Sequence, residues 1–255
     1  MKASTEEFLL FLLWSAEALA RPSWNNLQTS FEGWAFRNGL GRRLSSLQQK
    51  QLVEKNNHDD LRIVRLTEKG RTSACGGRDP EKLWGRAWEG RWQMVIFDVS
   101  NSAHRQKLRR LLRDAGFGWL QNSVWIAPIL NPTTGEKLFS SRGNVESLVV
   151  MEGRPIGGET DTSIVRGAWD FDRINHAYSI YLKKLRPPPM LMRRDDEQLD
   201  TLRRWLKYER ELWATAAEQD PFLPKSLWPT DYLGERAWQS RRATLSALGN
   251  SLSNL

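Results

Sequence analysis

The chain has 255 residues, with 38 lysines and arginines against 30 aspartates and glutamates, and its formal net charge is +8. A hydrophobic fraction of 40% with 13 tryptophans excludes wholesale disorder, because so much apolar surface needs a core or a partner. The single cysteine, Cys75, excludes a disulfide framework, and we expect a reduced, cytoplasmic protein. The basic excess favours an acidic partner such as nucleic acid.

The N-terminal residues contain an apolar run, Phe8 to Leu13, that is far shorter than the roughly 20 residues of a membrane span. Residues 18–20 read Ala-Leu-Ala, as before a signal-peptidase site, but Glu6 and Glu7 oppose a basic leader. Ser4 with Glu7 is typical of a capping box at the start of a helix. We therefore expect a helix here, with no signal peptide and no membrane partner.

Residues 1–78 show three helical patterns followed by two strand patterns. The helical patterns cover about 5–19, 25–33 and 40–55, and the strand patterns begin at 52–53 and 62–66 with turn residues at 56–60. Residues 66–71 indicate a strand that runs into a capped turn. This order predicts an N-terminal winged helix, in which the third helix enters the DNA major groove and the hairpin contacts the phosphate backbone.

The third helix and the hairpin are rich in basic and polar side chains, and no acidic residue occurs between Gly33 and Val53. Such side chains bind phosphates and base edges. The candidate DNA-binding residues are Arg37, Arg42, Arg43, Ser45, Ser46, Gln49, Lys50, Arg62 and Arg65. The alternative is a solvated basic helix in a domain that binds another protein.

Residues 86–162 follow the order βαββαβ, which predicts a ferredoxin-like central domain that serves for dimerisation. A nearly continuous apolar strand at 92–97 precedes a helix from about 102 to 115, which Gly116 is expected to end. Strands at 117–120 and 123–127, a helix after Pro132 and a strand at 145–151 complete the order. The first of these helices carries five basic residues, Arg105, Lys107, Arg109, Arg110 and Arg113.

Residues 163–255 predict a mostly helical C-terminal domain, so the expected fold class is α+β with three domains. Helical spacing covers 169–185 and 197–217, and a last helix begins near Gly234. Between the last two helices lies a proline-rich segment, Asp-Pro-Phe-Leu-Pro-Lys-Ser-Leu-Trp-Pro, at 220–229. Its three prolines restrict the backbone.

Signs of enzyme chemistry are sparse in this sequence. The three histidines, His58, His104 and His176, fall one in each region without the spacing of metal ligands, and Cys75 has no neighbouring histidine. Phosphate-loop and Gly-x-Ser-x-Gly motifs are missing from the sequence. We expect no cofactor, no metal and no catalysis. The central tryptophans are expected to pack in the core or to line an apolar ligand pocket.

Several motifs together resemble one known family. Residues 92–128 combine the aliphatic strand, Asp-Val-Ser, Arg-Arg-Leu-Leu, Ala-Gly-Phe-Gly and Ser-Val-Trp-Ile-Ala-Pro. Residues 220–237 read Asp-Pro-x-Leu-Pro-x-x-Leu-x-Pro-x-Asp-x-x-Gly-x-x-Ala, and Ala-Trp-Asp at 168–170 and Leu-Thr-Glu-Lys-Gly at 66–70 add to the pattern. Over essentially the whole chain this resembles the phenylacetic acid degradation repressor (PaaX) family. The central domain of that family is similar to the small dimeric subunit of CRISPR adaptation complexes.

The resemblance implies a sequence-specific regulator of transcription that binds double-stranded DNA. It further implies a homodimeric repressor that an acyl-CoA effector, such as phenylacetyl-CoA, releases from a palindromic operator. No enzymatic activity is expected of such a protein.

Two alternatives stay open at this point. The first is a metal-dependent nuclease, because Asp98 matches by position the strand-end aspartate that binds a divalent metal between two protomers in the CRISPR subunit family. One carboxylate per chain is too few for a hard cation without a dimer and water, and the same aspartate also suits the turn before a helix. The second is a non-enzymatic scaffold in a nucleoprotein complex.

Overall fold

The computed structural model describes residues 39–58, 61–74, 78–140, 146–190 and 196–253, together with Glu32, Ala35 and Phe36. The chain divides into two compact units, each made of separate stretches of sequence. Unit 1 contains residues 1–79, 180–215 and 235–255, and unit 2 contains residues 80–179 and 216–234. Helices and antiparallel strands occur together, so the predicted α+β class is confirmed. The division into domains at 1–78, 86–162 and 163–255 stays a prediction.

Unit 1 contains a helix followed by a β-hairpin and a second helix. These are α1 (Gly41–Gln49), β1 (Val53–His58), β2 (Leu61–Leu66) and α2 (Glu68–Ala74). The two strands are antiparallel, in a register that opposes Val53 to Leu66 and His58 to Leu61. The hairpin agrees with the predicted strand pair, whereas a helix replaces the turn expected at 66–71. The helices predicted at 5–19 and 25–33 lie outside the described residues except for Glu32, and the winged helix stays a prediction.

Helix α1 is shorter than the sequence pattern indicated, because the backbone turns left-handed at Gln51, where φ is 57°. The amide of Leu52 donates to the Leu47 carbonyl at 2.9 Å, and that of Gln51 to the Gln48 carbonyl at 2.9 Å. This pair of bonds is the Schellman motif, which satisfies the last carbonyls of a helix. Glycine usually occupies the left-handed position, so a glutamine gives no sequence signal for the helix end.

Unit 2 contains a four-stranded antiparallel sheet in the spatial order β4-β5-β3-β6. Its elements are α3 (Pro80–Trp84), β3 (Trp92–Asp98), α4 (Ser102–Asp114), β4 (Gly118–Gln121), β5 (Val124–Ala127), α5 (Pro132–Ser140) and β6 (Ser147–Gly153). Strand β3 pairs with β5 on one side and β6 on the other. The order of elements and the strand pairing confirm the predicted ferredoxin-like βαββαβ arrangement of the central region.

The two faces of this sheet differ in what covers them. Alternate residues of β3 point to opposite faces, so Val95 and Phe97 enter one buried cluster together with Leu108 and Leu112 of α4. Met94 and Ile96 point to the other face, where their register partners on β6 are Met151 and Val149. One face of the sheet therefore forms the core with α4 and α5.

Helix α4 begins and ends with well-formed caps. The side chain of Asn101 accepts hydrogen bonds from the amides of Ala103 at 3.0 Å and His104 at 3.1 Å. After the helix, Gly116 is left-handed with φ of 87°, and the Phe117 amide donates to the Leu112 carbonyl at 2.9 Å. The predicted role of Gly116 as the residue that ends this helix is confirmed.

The remaining elements are helical. They are α6 (Asp161–Ala168), α7 (Phe171–Lys184), α8 (Asp196–Ala217), a short 3-10 helix (Lys225–Leu227) and α9 (Gly234–Ser253). The predicted helix at 169–185 corresponds to α7, and the shorter α6 before it was not predicted. Helix α6 lies against the sheet, because a Cβ at Gly118 would come within 3.0 Å of Trp169 and Ala168. Among the described residues, no helix is both long and apolar enough to cross a bilayer.

The proline-rich segment of unit 2 is organised around the buried carboxylate of Asp220. One carboxylate oxygen accepts hydrogen bonds from the hydroxyls of Tyr178 and Tyr232, both at 2.5 Å. The other accepts from the amide of Phe222 at 2.7 Å, and the Phe222 backbone is left-handed with φ of 50°. Trp84 packs edge-on against Tyr232, with ring centroids 6.2 Å apart. The Asp-Pro-Phe-Leu-Pro motif is therefore structural.

Unit 1 has its own buried polar centre. The Arg241 guanidinium donates to both carboxylate oxygens of Glu209, at 2.8 and 3.2 Å, and the Tyr181 hydroxyl donates to the same carboxylate at 2.9 Å. The Arg241 guanidinium also lies over the rings of Trp213 and Trp238, at 4.9 and 5.6 Å from their centroids. The cation–π contacts and the bidentate ion pair offset the free-energy cost of removing the guanidinium charge from water.

These networks predict that stability falls at high pH. Burial and the adjacent carboxylate raise the pKa of the Tyr178 and Tyr232 hydroxyls, and burial followed by Glu209 raises the pKa of Tyr181. An unfolded tyrosine titrates near 10, so the folded chain keeps these protons where the unfolded chain loses them. The stabilisation from these raised pKa values is fully present below pH 10. Above pH 10, each tyrosine lowers the free energy of unfolding by about 1.4 kcal/mol per pH unit.

Urea unfolding of the full chain at pH 8 to 11, compared with Tyr232→Phe, measures this effect. The two proteins differ only in the Tyr232 hydroxyl, so the difference in slope isolates one tyrosine. The variant should lose less stability per pH unit above pH 10 than the wild type. Equal slopes would show that the Tyr232 hydroxyl titrates alike in the folded and unfolded chains.

Candidate nucleic-acid interface

Helix α1 presents the predicted DNA-binding residues because its apolar side chains are buried on the opposite face. Leu44 is 2% exposed and Leu47 is fully buried. With these two side chains inward, the helical repeat directs Arg42, Ser45 and Gln49 outward as one row. Arg42, Arg43, Ser45, Gln49 and Lys50 are exposed, and Ser46 is half-buried. The structure brings these six predicted residues together, while their role stays a prediction.

The row contains both charged and neutral hydrogen-bonding groups. The Ser45 hydroxyl donates to the Gly41 carbonyl at 3.1 Å, so its lone pairs are left to accept a hydrogen bond. Gln49 offers an amide donor and an amide acceptor, and Arg42 offers five N–H donors in a planar fork. These are the groups with which proteins contact base edges and phosphates in a major groove.

The structure describes fewer of the predicted DNA-binding side chains on the hairpin than on α1. Arg65 is exposed on β2 and lies opposite Glu54 across the strand pair, so an acidic neighbour offsets part of its charge. Lys55 of β1 forms an ion pair with Glu32 at 2.7 Å. The backbone of Arg62 pairs with that of Asn57, but its side chain lies outside the described part of the chain, as does the whole of Arg37.

The end of α1 is attached to the residues that follow the hairpin. The Thr67 hydroxyl donates to the Gln51 carbonyl at 2.7 Å and accepts from the Gly70 amide at 3.0 Å. The Thr67 amide donates to the Leu52 carbonyl at 3.1 Å. The Leu-Thr-Glu-Lys-Gly motif therefore holds the end of α1 against the start of α2, and it fixes the direction of α1 relative to the hairpin.

Two polar residues next to this surface were missed by the sequence reasoning. Gln48 is exposed on α1, and the helical repeat that selected Gln49 gives a signal for it as well. Lys69 is exposed, and its ammonium group donates to the Lys50 carbonyl at 3.1 Å, at the C-terminal end of α1. No sequence pattern indicated this contact, because it depends on the tertiary attachment of α2.

An open cavity of about 910 Å³ lies beside this attachment in unit 1. It is bordered by residues after α1, by α2 and by one residue of α8. These are Gln51, Leu52, Thr67, Glu68, Lys69, Thr72, Ser73 and Arg210. Leu52 is the one apolar residue among these eight, and none of the tryptophans borders the cavity.

Asp98, the residue of the nuclease alternative, is exposed at the end of β3 and lies opposite Ser147 on β6. Within the described parts of the chain, no three side chains of histidine, cysteine, aspartate or glutamate are grouped to hold a metal ion. The guanidinium of Arg105 donates to the carbonyl of Val99, the next residue, at 2.9 Å from Nε and 2.5 Å from Nη2. This contact anchors the strand end to α4.

Comparison with known proteins agrees with the ferredoxin-like sheet of the central region. Residues 85–165 match the family model described as the PaaX protein central Cas2-like domain. This part of the chain is therefore similar to the Cas2-like central domain of PaaX proteins. The chain is also similar to the transcriptional repressor PaaX of Escherichia coli strain K12, with 22% identity over 215 residues. The match covers 82% of this chain and 62% of that repressor.

The chain also resembles a solved structure, an uncharacterized protein from Mycobacterium tuberculosis. The similarity has a TM-score of 0.50 and 19% sequence identity, and it covers 86% of this chain and 85% of the other. This likeness concerns the fold alone.

The attachment between α1 and α2 predicts a glycine requirement at position 70. A Cβ there would lie less than 3.0 Å from the backbone carbonyl of Leu52, which has no freedom to rotate away. Alanine normally stabilises a helix relative to glycine, whereas the clash with the Leu52 carbonyl destabilises the fold. The Gly70→Ala variant shows which of these two effects is larger. We expect a loss of about 1 to 3 kcal/mol in the free energy of unfolding.

Gly167→Ala is the matched control, because Gly167 lies within helix α6 and a Cβ there meets no atom within 4 Å. This substitution should be neutral or stabilise by up to about 1 kcal/mol. Urea unfolding of both variants gives the comparison. If the two variants were equally stable, the close approach at Leu52 would not constrain the attachment.

Proposed function

We propose that this chain is a regulator of transcription that binds double-stranded DNA sequence-specifically through α1. The observation that carries the proposal is the composition of the exposed row on α1, which combines Arg42 with Ser45 and Gln49 and is backed by buried leucines. The row lies in a stretch of sequence without acidic residues, so no carboxylate on α1 itself repels a polyanion. A helix followed by a hairpin is the order that a winged helix uses on DNA.

The proposed binding mode divides the side chains into two groups. Gln49 and Arg42 have the bidentate geometry that distinguishes adenine and guanine edges, whereas Lys50 and Arg65 suit phosphates. Phosphate contacts make the affinity fall as the salt concentration rises, and base contacts make it depend on sequence. We propose that both kinds of contact operate, as in other helices that bind in the major groove.

We further propose that the protein acts as a homodimer through the second face of the central sheet. Val149 and Met151 on β6 are 42% and 43% exposed, and they lie beside Ile96 and Met94 of β3. Apolar residues grouped on an exposed sheet face favour a protein contact over solvation. A two-fold axis would place two copies of α1 on a palindromic operator.

Repression, and release by an acyl-CoA effector, complete the proposal. They are supported by the match of residues 85–165 to the PaaX central-domain model and by the similarity to a transcriptional repressor. The cavity next to the end of α1 contributes a physical route, because a ligand seated there would contact both Gln51 and Thr67 and alter the direction of α1. Regulation of this kind places the protein in the cytoplasm with the genome, and it requires no catalytic step.

Selection of bound duplexes from a random-sequence pool by the full chain tests the proposal directly. We expect one enriched, palindromic sequence. Replacing Arg42 and Arg43 together by glutamine should weaken binding to that sequence by at least about tenfold, since a good base contact contributes about 1 kcal/mol or more. Fluorescence anisotropy at fixed salt measures the affinity, with and without phenylacetyl-CoA.

The matched control replaces Lys183 and Lys184 by glutamine, which removes the same charge from exposed positions on α7. Equal affinities of the two variants, or a selection that enriches no sequence, would contradict the proposal. Cleavage of the duplex in Mg²⁺ that Asp98→Ala abolishes would instead support the nuclease alternative.

The homodimer is tested by placing charges on the second face of the sheet. We expect the wild type to have a mass in solution of about twice 29.5 kDa, and the pair Val149→Asp and Met151→Asp to have the mass of one chain. The burial of an unpaired carboxylate in an apolar interface is strongly unfavourable. Light scattering after size-exclusion chromatography measures the mass.

The control pair, Ile156→Asp and Met190→Asp, makes the same chemical change at two other exposed apolar positions. It should leave the mass unchanged. A monomeric wild type, or equal masses for both pairs, would show that this face does not form the dimer.

A further inference from the structure

We propose that the outer face of α4 in the central domain is a second DNA-contacting surface, which binds duplex phosphates without reading sequence. This surface, the α4 stripe, consists of Lys107, Arg110 and Arg113. The inference rests on the proposed function, because it assumes that the protein meets duplex DNA. It extends that function, since nothing in the winged-helix mode requires a contact from the central region.

The orientation of α4 is fixed by its apolar side. Leu108 is 4% exposed and Leu112 is fully buried in the cluster under the sheet. Residues three apart on a helix share a face, so Lys107, Arg110 and Arg113 form one row on the side away from that cluster. All three are exposed. The row advances by about 4.5 Å per step, from the 1.5 Å rise per residue.

The charge of the α4 stripe is not explained by the stability of the helix itself. Cations near a helix C-terminus are favourable, and this accounts for Arg113 in the last turn. It does not account for Lys107 in the middle, nor for the lack of any acidic residue in the first turn. Like charges at this spacing repel each other by a few tenths of a kcal/mol. The helix therefore carries more positive charge than its own stability favours.

The three cations of the α4 stripe have no acidic partner among the described residues. No carboxylate in the described part of the chain comes within 4.0 Å of any of them. Arg105 differs, because its guanidinium is engaged by the Val99 carbonyl. The stripe is thus available to an external anion.

The chemistry of the surrounding face favours nucleic acid over an acidic protein. The other exposed residues on this side of α4 are Ala103, Gln106 and Asp114, and none has a large apolar side chain. Stable protein interfaces depend on buried aromatic and aliphatic anchors, which this face does not offer. A duplex needs no such anchor, because it presents a regular line of phosphates to a row of cations.

The experiment compares two triple variants of the full chain. Lys107, Arg110 and Arg113 are replaced by glutamine in one, and Arg173, Lys183 and Lys184 in the other. Both variants have a net charge of +5, since each loses three positive charges from +8. All six positions are exposed, so neither variant should unfold more readily than the wild type, which urea unfolding verifies.

Binding is measured by anisotropy between 50 and 300 mM salt, on the selected duplex and on a random-sequence duplex of equal length. For the α4 variant we expect the slope of log K against log salt to decrease in magnitude by about 2 to 3, because each lost phosphate contact contributes about 0.9. Affinity at low salt should fall about tenfold or more on both duplexes, so the preference for the selected sequence is unchanged.

The possible outcomes separate the two proposals. If the wild type binds the selected duplex and the two triple variants behave alike, the α4 stripe is not a DNA surface and only this inference is overturned. If the wild type binds no duplex at 50 mM salt, the proposed function fails and the inference fails with it. A loss confined to the selected duplex would also overturn the inference, since it would mean that α4 reads sequence.

Discussion

The pairing of β3 on both of its edges is the constraint on which the central region depends. A strand held between β5 and β6 cannot rotate, so its alternating side chains are committed to one face or the other. Val95 and Phe97 define the face that the helices cover, and the leucines of α4 must meet them there. The basic side of α4 is consequently directed to solvent. By the same alternation Met94 and Ile96 lie on the second face, next to the exposed apolar residues of β6.

In unit 1 the helix that carries the candidate DNA-binding row is short. Helix α1 has only nine residues, and an isolated helix of that length is not stable in water. Leu44 and Leu47 are buried on one side of the helix. The Thr67 hydroxyl, just before α2, donates a hydrogen bond to the Gln51 carbonyl at the end of α1. The absence of a side chain at Gly70 allows the Leu52 carbonyl to approach closely. Such fixation favours the proposed recognition of DNA, because a mobile helix would lose conformational entropy on binding.

Local patterns predicted much of this architecture, and long-range contacts account for most of what they missed. The apolar strand at 92–97, the helix before Gly116 and the order βαββαβ could be recognised because each depends on the spacing of nearby residues. The exposed row on α1 followed from the same periodicity. The early end of α1 could not be recognised, since Gln51 adopts a conformation that glutamine rarely takes. The hydrogen bonds of the buried Asp220 carboxylate could not be predicted either, because its partner Tyr178 is 42 residues away in the sequence.

The interleaving of the two units along the sequence has a consequence for how the protein is made. Unit 2 needs residues 216–234 as well as 80–179, and unit 1 needs residues 235–255 in addition to its earlier stretches. On the ribosome, Tyr178 is translated 42 residues before the Asp220 carboxylate that accepts its hydrogen bond, so the sheet is translated before the proline-rich segment. Unit 2 is incomplete until residue 234 has been translated, and unit 1 until residues 235–255 have followed, so unit 1 cannot fold completely before unit 2 has been synthesised.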